Sequence, residues 1–257
     1  ARALGADDLK PEKSAHFTLG AVWQPVASMS LSADWFVTDI RNRIMATSYI
    51  DADTVPQAKD ILEQYGVGSA VYFTNAVGTR TQGYDVRLDY QDELSNGHLW
   101  QIQAAFQQAK TRINRVNRAP DVLGVDMNEL VLDPFTRVTL EQGQPQHAFS
   151  LWGHYRTPAF ALSLGLRRHG SYASTHGDQT VRFAARWVLD PQISFNLGRH
   201  ATLAVGATNL LNSRPQQWAA TGEDEPLHGK GKPVAYSQYA PYGYNGRTWY
   251  LRLGARF

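Results

Sequence analysis

Cysteine is missing from all 257 residues, which excludes a disulfide framework, a thiolate metal site and a cysteine nucleophile. No stretch approaches the roughly 18 consecutive apolar residues that a membrane-spanning helix needs, so a helical membrane protein is excluded as well. An excess of one charge is also lacking. The 25 Lys and Arg against 23 Asp and Glu leave a net charge of +2, which gives no electrostatic reason to expect a nucleic acid partner. The eight histidines (16, 98, 147, 154, 169, 176, 200 and 228) form no HExxH or other compact ligand spacing. Ser150 and His154, four positions apart on a strand, lie about 13 Å from each other, too far for a nucleophile and its base. His228-Gly229-Lys230-Gly231-Lys232 lacks the phosphate-loop spacing and reads as a solvated loop. No catalytic residue, metal site or cofactor is expected, and the chain is not read as an enzyme.

What the chain does contain is alternation. In the last stretch, Trp249, Leu251, Leu253, Ala255 and Phe257 share one face, while Tyr250, Arg252, Gly254 and Arg256 share the other. A strand with one apolar face and one face bearing arginines does not suit a two-sided soluble core. It suits a wall between lipid and a polar lumen. The same period recurs from Ala15 to Trp23, Leu31 to Val37, Tyr84 to Tyr90, Trp100 to Phe106, Phe149 to Tyr155 and Phe160 to Leu166. From Val181 through Phe183, Trp187, Ile193 and Phe195 to Leu197 no odd position is charged. As one strand that run would span roughly 55 Å, about twice the ~25 Å apolar band of an outer-membrane barrel. Pro191 within it marks a possible bulge or bend. Alternation also explains how a membrane wall coexists with a mean hydropathy of −0.39.

Short connections near 25–27, 93–97, 157–158 and 198–200 alternate with long ones near 47–69, 114–145, 171–178 and 212–246. That is the pattern of periplasmic turns and extracellular loops. The spacing predicts nine antiparallel strands, an odd number where single-chain bacterial barrels have even ones, so the chain reads as the rear part of something larger. Ala1-Arg2-Ala3 is neither an initiator methionine nor an export signal, which agrees. One loop is expected to hold a helix capped by Thr54, with Pro56 in its first turn, a stripe of Ala58, Ile61, Leu62 and Tyr65, and Gly66 ending it. Trp23, Tyr90, Trp100 and Trp187 suit membrane-interface anchors.

Several motifs in order converge on one family. Leu9-Lys10-Pro11-Glu12 followed by Ser14 resembles the LKPE-type motif of TonB-dependent outer-membrane receptors. Trp35-Phe36 with Asp39-Ile40 and Ile44, and Asn75 with Thr79, Thr81, Gly83 and Asp85, are similar to two further family segments. Thr208-Asn209-Leu210-Leu211-Asn212 with Pro215 resembles its penultimate-strand motif, and Tyr242 to Arg247 a subgroup ending. The resemblance implies that residues 1–257 are the C-terminal portion of a 22-stranded transmembrane barrel, about nine strands of it, without the plug domain and TonB box. It implies location in the outer membrane of a Gram-negative bacterium and uptake of a scarce nutrient, a ferric siderophore by default, with TonB-derived energy. Haem, cobalamin and carbohydrate remain open. Implied partners are outer-membrane lipid and lipopolysaccharide, the barrel assembly machinery, and the TonB complex through the absent N-terminal part.

The last long loop is rich in aromatic residues. Trp218, Tyr236, Tyr239, Tyr242, Tyr244 and Arg247 are the candidate substrate contacts, because rings beside arginine suit a planar or anionic chelate; loop packing or an interfacial girdle is the plainer alternative. Phe257 with Leu253, Leu251 and Trp249 is the candidate barrel-assembly signal. The lysines at 230 and 232 could attract an anionic ligand or lipopolysaccharide phosphates, and Asp121, Asp126 and Glu129 a cation. A self-contained small barrel, an autotransporter translocator or porin, is the alternative architecture. The membrane reading fails if Phe183, Trp187, Phe195 and Leu253 lie in a protein interior while Arg182 and Arg252 face bulk solvent.

Overall fold

The computed structural model describes every residue except 118–123, 125, 177–178, 199, 217–235, 238 and 256–257. In chain order the elements are β1 (Lys13–Val26), β2 (Met29–Ala46), β3 (Ile50–Asp51), α1 (Lys59–Gln64), β4 (Ser69–Ala70), β5 (Phe73–Glu93), β6 (Leu99–Val116), α2 (Met127–Val131), α3 (Pro134–Gln142), β7 (His147–Arg156), β8 (Phe160–His169), β9 (Tyr172–His176), β10 (Gln179–Phe183), β11 (Arg186–Leu197), β12 (Ala201–Thr208) and β13 (Thr248–Ala255). Nine strands form one sheet in the order β1-β2-β5-β6-β7-β8-β11-β12-β13, and β3–β4 and β9–β10 are separate two-stranded ribbons. Each long strand pairs antiparallel with the next in sequence. The meander is not closed among the described residues; β1 and β13 are its edges.

Cross-strand register carries each face across the sheet, because directly paired residues point the same way. Leu19, Trp35 and Tyr84 form one outward row; Leu151, Leu166 and Leu189 form another; Val205 and Leu251 belong to a third. These side chains have no protein layer over them: Leu251 and Leu253 are 70% and 72% exposed. The inward face is polar. Arg87 and Asp89 pair at 2.7 Å and Arg167 and Asp190 at 2.5 Å. His16 lies 2.7 Å from Thr38, and Gln101 donates to Gln91 at 3.0 Å. Gly83 on this face lets the Phe36 ring lie flat on β5, since a Cβ there would meet Gln108 backbone oxygen at 2.0 Å and the ring at 2.9 Å.

The buried apolar residues gather elsewhere, at the end of the long connections. Leu4, Ile50, Val55, Ala58, Leu62 and Tyr72 form one cluster. Ala76 and Val77 with Val131 and Leu132 form a second, which Ile113 joins from the inward face of β6. Tyr172 and Phe183 stack at 4.7 Å.

Three local expectations need correction. The run from Val181 to Leu197 is not one strand. It breaks at Ala184–Ala185, and β10 folds back on β9 so that Phe183 is 1% exposed against Tyr172. Above the membrane an apolar side chain finds protein rather than lipid, so alternation there no longer marks a lipid face. Trp187, Phe195 and Leu253 stay on the outside, so the membrane reading stands. Thr54 does not cap the helix; its hydroxyl donates to Asp51 at 2.8 Å, and a 3-10 turn at Pro56–Ala58 leads into α1 instead. Gly66 does end the helical segment, at φ 65°. The long connections also carry α2, α3 and the two ribbons, which were not foreseen. Pro191 makes no bulge against β8, where it pairs in register with Leu164. Pairing of β11 with β12 instead begins at Gln192, and above it the Asp190 carboxylate accepts from Asn209 N–H at 2.7 Å.

Candidate ligand-binding mouth

Two long connections fold over the inward face at the top of the sheet. In the first, Asp133 caps α3 by accepting from Thr136 N–H at 2.6 Å, with Pro134 in the first turn. In the second, residues 241–246 lie beside Arg167 of β8, Val188 of β11, Thr208 of β12 and Thr248 of β13. They meet where Phe135 of α3 contacts Tyr239, ring centroids 6.3 Å apart.

Of the six candidate contacts, Trp218 lies outside the described residues. Tyr236 stacks on Tyr244 at 5.5 Å, and the Tyr244 hydroxyl donates to Ser237 backbone oxygen at 3.1 Å. Tyr242 packs on His169, ring centroids 5.4 Å apart, and His169 pairs in register with Arg186. Burial raises the Tyr242 pKa, and Arg186 opposes that shift. Arg247 turns away from the rings to the loop root, where its N–H meets the Asn212 side chain at 3.1 Å and its guanidinium the Leu210 carbonyl at 3.4 Å. The sheet adds residues that the sequence did not single out. His169 and Arg186 are register partners on the inward face, and Arg167 sits two residues below His169. A cavity of about 350 Å³ opens beside them, lined by Arg167, Val188, Thr208, Tyr242, Asn245 and Thr248. Burial pushes the neighbouring Tyr172 hydroxyl up to about 12, opposed by the Ser237 hydroxyl. The signal for His169 and Arg186 was faint: each stands on the polar parity of its strand, next to a long connection.

The arrangement is a rim of aromatic rings with guanidinium and imidazole groups beneath, suited to holding a large polar or anionic solute by stacking and charge. A hydrolase reading gains nothing from it. His154 lies 2.9 Å from Ser163 and stacks on Trp152 at 5.6 Å, and no described carboxylate forms an ion pair with it. Among the described residues no group of three His, Cys, Asp or Glu could hold a metal ion; Asp121 and the lysines at 230 and 232 lie outside them. Of the candidate assembly signal, Trp249, Leu251 and Leu253 stand on the outward face, and Phe257 is outside the described residues.

The motif residues turn out to be joints. Asn75 donates to Lys10 oxygen at 2.8 Å and to Asn42 oxygen at 2.7 Å, and accepts from Lys10 N–H at 2.7 Å. Glu12 accepts from Ile44 N–H at 2.6 Å. Asn209, at φ 54°, exchanges hydrogen bonds with Ser213 at 2.7 and 2.9 Å and so turns the chain out of β12.

The family model described as TonB dependent receptor-like, beta-barrel matches residues 1–210. The chain belongs to the TonB-dependent receptor β-barrel family. No curated protein matches its sequence. Among solved structures, the ferric-catecholate import receptor Fiu of Escherichia coli K12 superposes with a TM-score of 0.59 at 20% identity, over 97% of this chain and 28% of that one. The outer membrane transporter YddB of Escherichia coli gives 0.60 at 12%, over 97% and 33%, and the copper transporter OprC 0.57 at 16%, over 98% and 32%. At these identities the likeness establishes the receptor fold. This chain spans about a third or less of the length of the solved receptors it matches.

Proposed function

We propose that this TonB-dependent receptor chain is the C-terminal portion of an outer-membrane transporter, forming part of the barrel wall and of the extracellular mouth through which a scarce nutrient enters. The single observation that carries this reading is Tyr242, packed on His169 of the inward face beside an open cavity, with Arg186 the register partner of His169. A ferric siderophore is the favoured solute: catecholate or hydroxamate chelates are large, flat in part and often anionic, which matches rings above a guanidinium. The likeness to the ferric-catecholate import receptor Fiu and the copper transporter OprC supports metal uptake as the class. The work is capture and passage, with no covalent step, and the energy comes from a TonB partner engaged outside residues 1–257. The Trp249-Leu251-Leu253 face would be the part read by the assembly machinery.

Binding of ferric siderophores to the full natural chain, followed by intrinsic fluorescence quenching, tests the reading. Tyr242→Ala should weaken binding about tenfold, the scale of an aromatic anchor, while Arg247→Ala should change it less than threefold. Wild-type affinity in the Tyr242 variant for every chelate that binds would remove the mouth from the site. A self-contained small barrel is disfavoured by the open sheet with edges at β1 and β13.

A further inference from the structure

The sequence contains two Asn-Gly pairs, Asn96-Gly97 in a short turn of the wall and Asn245-Gly246 in the last long connection. Asn-Gly is the pair in which a backbone nitrogen most readily attacks the preceding side chain. No Cβ on the glycine blocks the approach, and both reacting groups belong to one short segment. The two pairs share what local conformation supplies: both asparagines are exposed, and the glycines have φ of 76° and 71°. Their hydrogen bonding differs.

In the turn between β5 and β6, Gly97 N–H donates to the Leu94 carbonyl at 2.9 Å, and Leu94 N–H to the His98 carbonyl at 2.8 Å. The Asn96 side-chain oxygen accepts from His98 N–H at 3.2 Å. Nucleophile and electrophile are both engaged there, so ring closure must first break the turn. At the mouth, neither Gly246 N–H nor the Asn245 side chain makes a hydrogen bond with a described residue. Gly246 is fixed only on its far side, where Arg247 N–H donates to the Asn212 side chain at 3.1 Å. A Cβ on Gly246 would stand 2.8 Å from Arg214 Nε, so a guanidinium lies beside this peptide. A positive charge there favours loss of the amide proton, the step that makes the nitrogen a nucleophile. Asn245 itself lines the cavity with Arg167 and Tyr242.

We infer that Asn245-Gly246 is a self-modifying site that exchanges a neutral carboxamide for a carboxylate at the mouth. The Gly246 nitrogen passes its proton to hydroxide and forms a bond to Asn245 Cγ. The Cγ–Nδ2 bond breaks, and ammonia leaves with a proton taken from water. Water then opens the resulting succinimide at either carbonyl, giving aspartate or isoaspartate at 245; nothing is oxidised or reduced. The product puts a negative charge into the cavity beside Tyr242, so capture of an anionic chelate declines as the protein ages. That consequence rests on the reading of the mouth given above, whereas the modification itself does not.

The full natural chain in detergent, kept in mildly alkaline buffer and sampled over time, tests it. Peptide mass spectrometry resolves Asn, Asp and isoaspartate at each position. Asn245 should convert about tenfold faster than Asn96, the scale of two lost hydrogen bonds. Arg214→Gln should slow conversion of Asn245 about threefold and leave Asn96 unchanged. Binding of an anionic iron(III) tris-catecholate complex should fall in step with conversion in the wild type. Asn245→Gln, which cannot close the same ring, should keep its own starting affinity through the time course. Equal rates at the two positions, or a faster rate at Asn96, overturn the site. Conversion of Asn245 with undiminished chelate binding overturns its effect on capture. If the fresh wild type binds no anionic chelate, the reading of the mouth falls, and the two rates still decide the modification.

Discussion

Leu164 and Phe183 lie 19 positions apart on neighbouring stretches of chain, yet their surroundings are opposite. Leu164 belongs to the wall and is 41% exposed on the outward face, whereas Phe183 belongs to the layer above and is 1% exposed beneath Tyr172. Both are apolar residues on short strands. In the wall, hydrocarbon outside removes the need for a core, and stability comes from ladder hydrogen bonds and a lipid-compatible face. In the loop layer, water is the solvent again, and apolar side chains must find each other. One polypeptide therefore follows two rules of burial, and the height along the strand decides which applies.

The largest expected effect separates the two layers. Phe183→Ala removes the ring that stacks on Tyr172 at the end of the β9–β10 ribbon and should cost about 3–5 kcal/mol, the range for a buried Phe truncated to Ala. The loss should stay local: hydrogen exchange should accelerate across 172–183 while β7 and β8 keep their protection. Matching acceleration in β7 and β8 would show that the layers fold as one unit.

The next effect tests the wall itself. Leu164→Arg places a charge on the outward face and should destabilise the barrel by about 2–4 kcal/mol if Leu164 sits near mid-bilayer. Gln103→Arg, on the inward face of β6, should stay within about 0.5 kcal/mol, as surface substitutions do. Urea titrations in lipid vesicles measure both. Similar costs at the two positions would mean that the outward face does not meet hydrocarbon.

The wall was legible in the sequence because period two survives wherever one side is lipid and the other a polar lumen. Trp249, Leu251 and Leu253 announce their face without any knowledge of neighbours, and nine strands could be counted. The layer above was not legible. Phe183 keeps the parity of Trp187 and yet faces protein, because the chain breaks at Ala184–Ala185 and β10 folds back on β9. The short α2, the ribbons and the inward placement of Tyr242 depend on contacts between segments distant in sequence, such as Phe135 with Tyr239. The candidate mouth was half legible: its tyrosines stood out by composition, while His169 and Arg186 are brought to them only by register.

A smaller effect concerns the joint between layers. Asn75 ties the segment before β1 to the top of β2 and β5 through three hydrogen bonds. Asn75→Ala leaves Lys10 and Asn42 backbone groups to solvent and should cost about 0.5–1.5 kcal/mol. Limited proteolysis should then cut within 1–12 faster, with wall migration unchanged. An unaltered cleavage rate would mean that the Leu4 cluster and the Glu12–Ile44 hydrogen bond suffice to hold the segment.

The smallest effect divides the loop layer itself by pH. Hydrogen bonds from Thr54 N–H first, and then from the Thr54 hydroxyl, hold the Asp51 carboxyl below its usual range. A lowered pKa means that the unfolded loop binds the proton more tightly. The contribution is therefore present above the ordinary Asp value near 3.8 and is lost as pH falls through the lowered one. Tyr172 is the reverse case. Its pKa, raised by burial from 10.0 to about 12, favours the folded ribbon below pH 10, and the advantage fades as pH rises from 10 to 12. Hydrogen exchange or proteolysis across a pH series should thus open 47–72 at the acid end and 172–183 at the alkaline end. Asp51→Asn, which retains the acceptor oxygen without the titration, should flatten the acid response, and Tyr172→Phe the alkaline one. Simultaneous opening of both segments at either end would show that the two halves of the layer share a single cooperative unit.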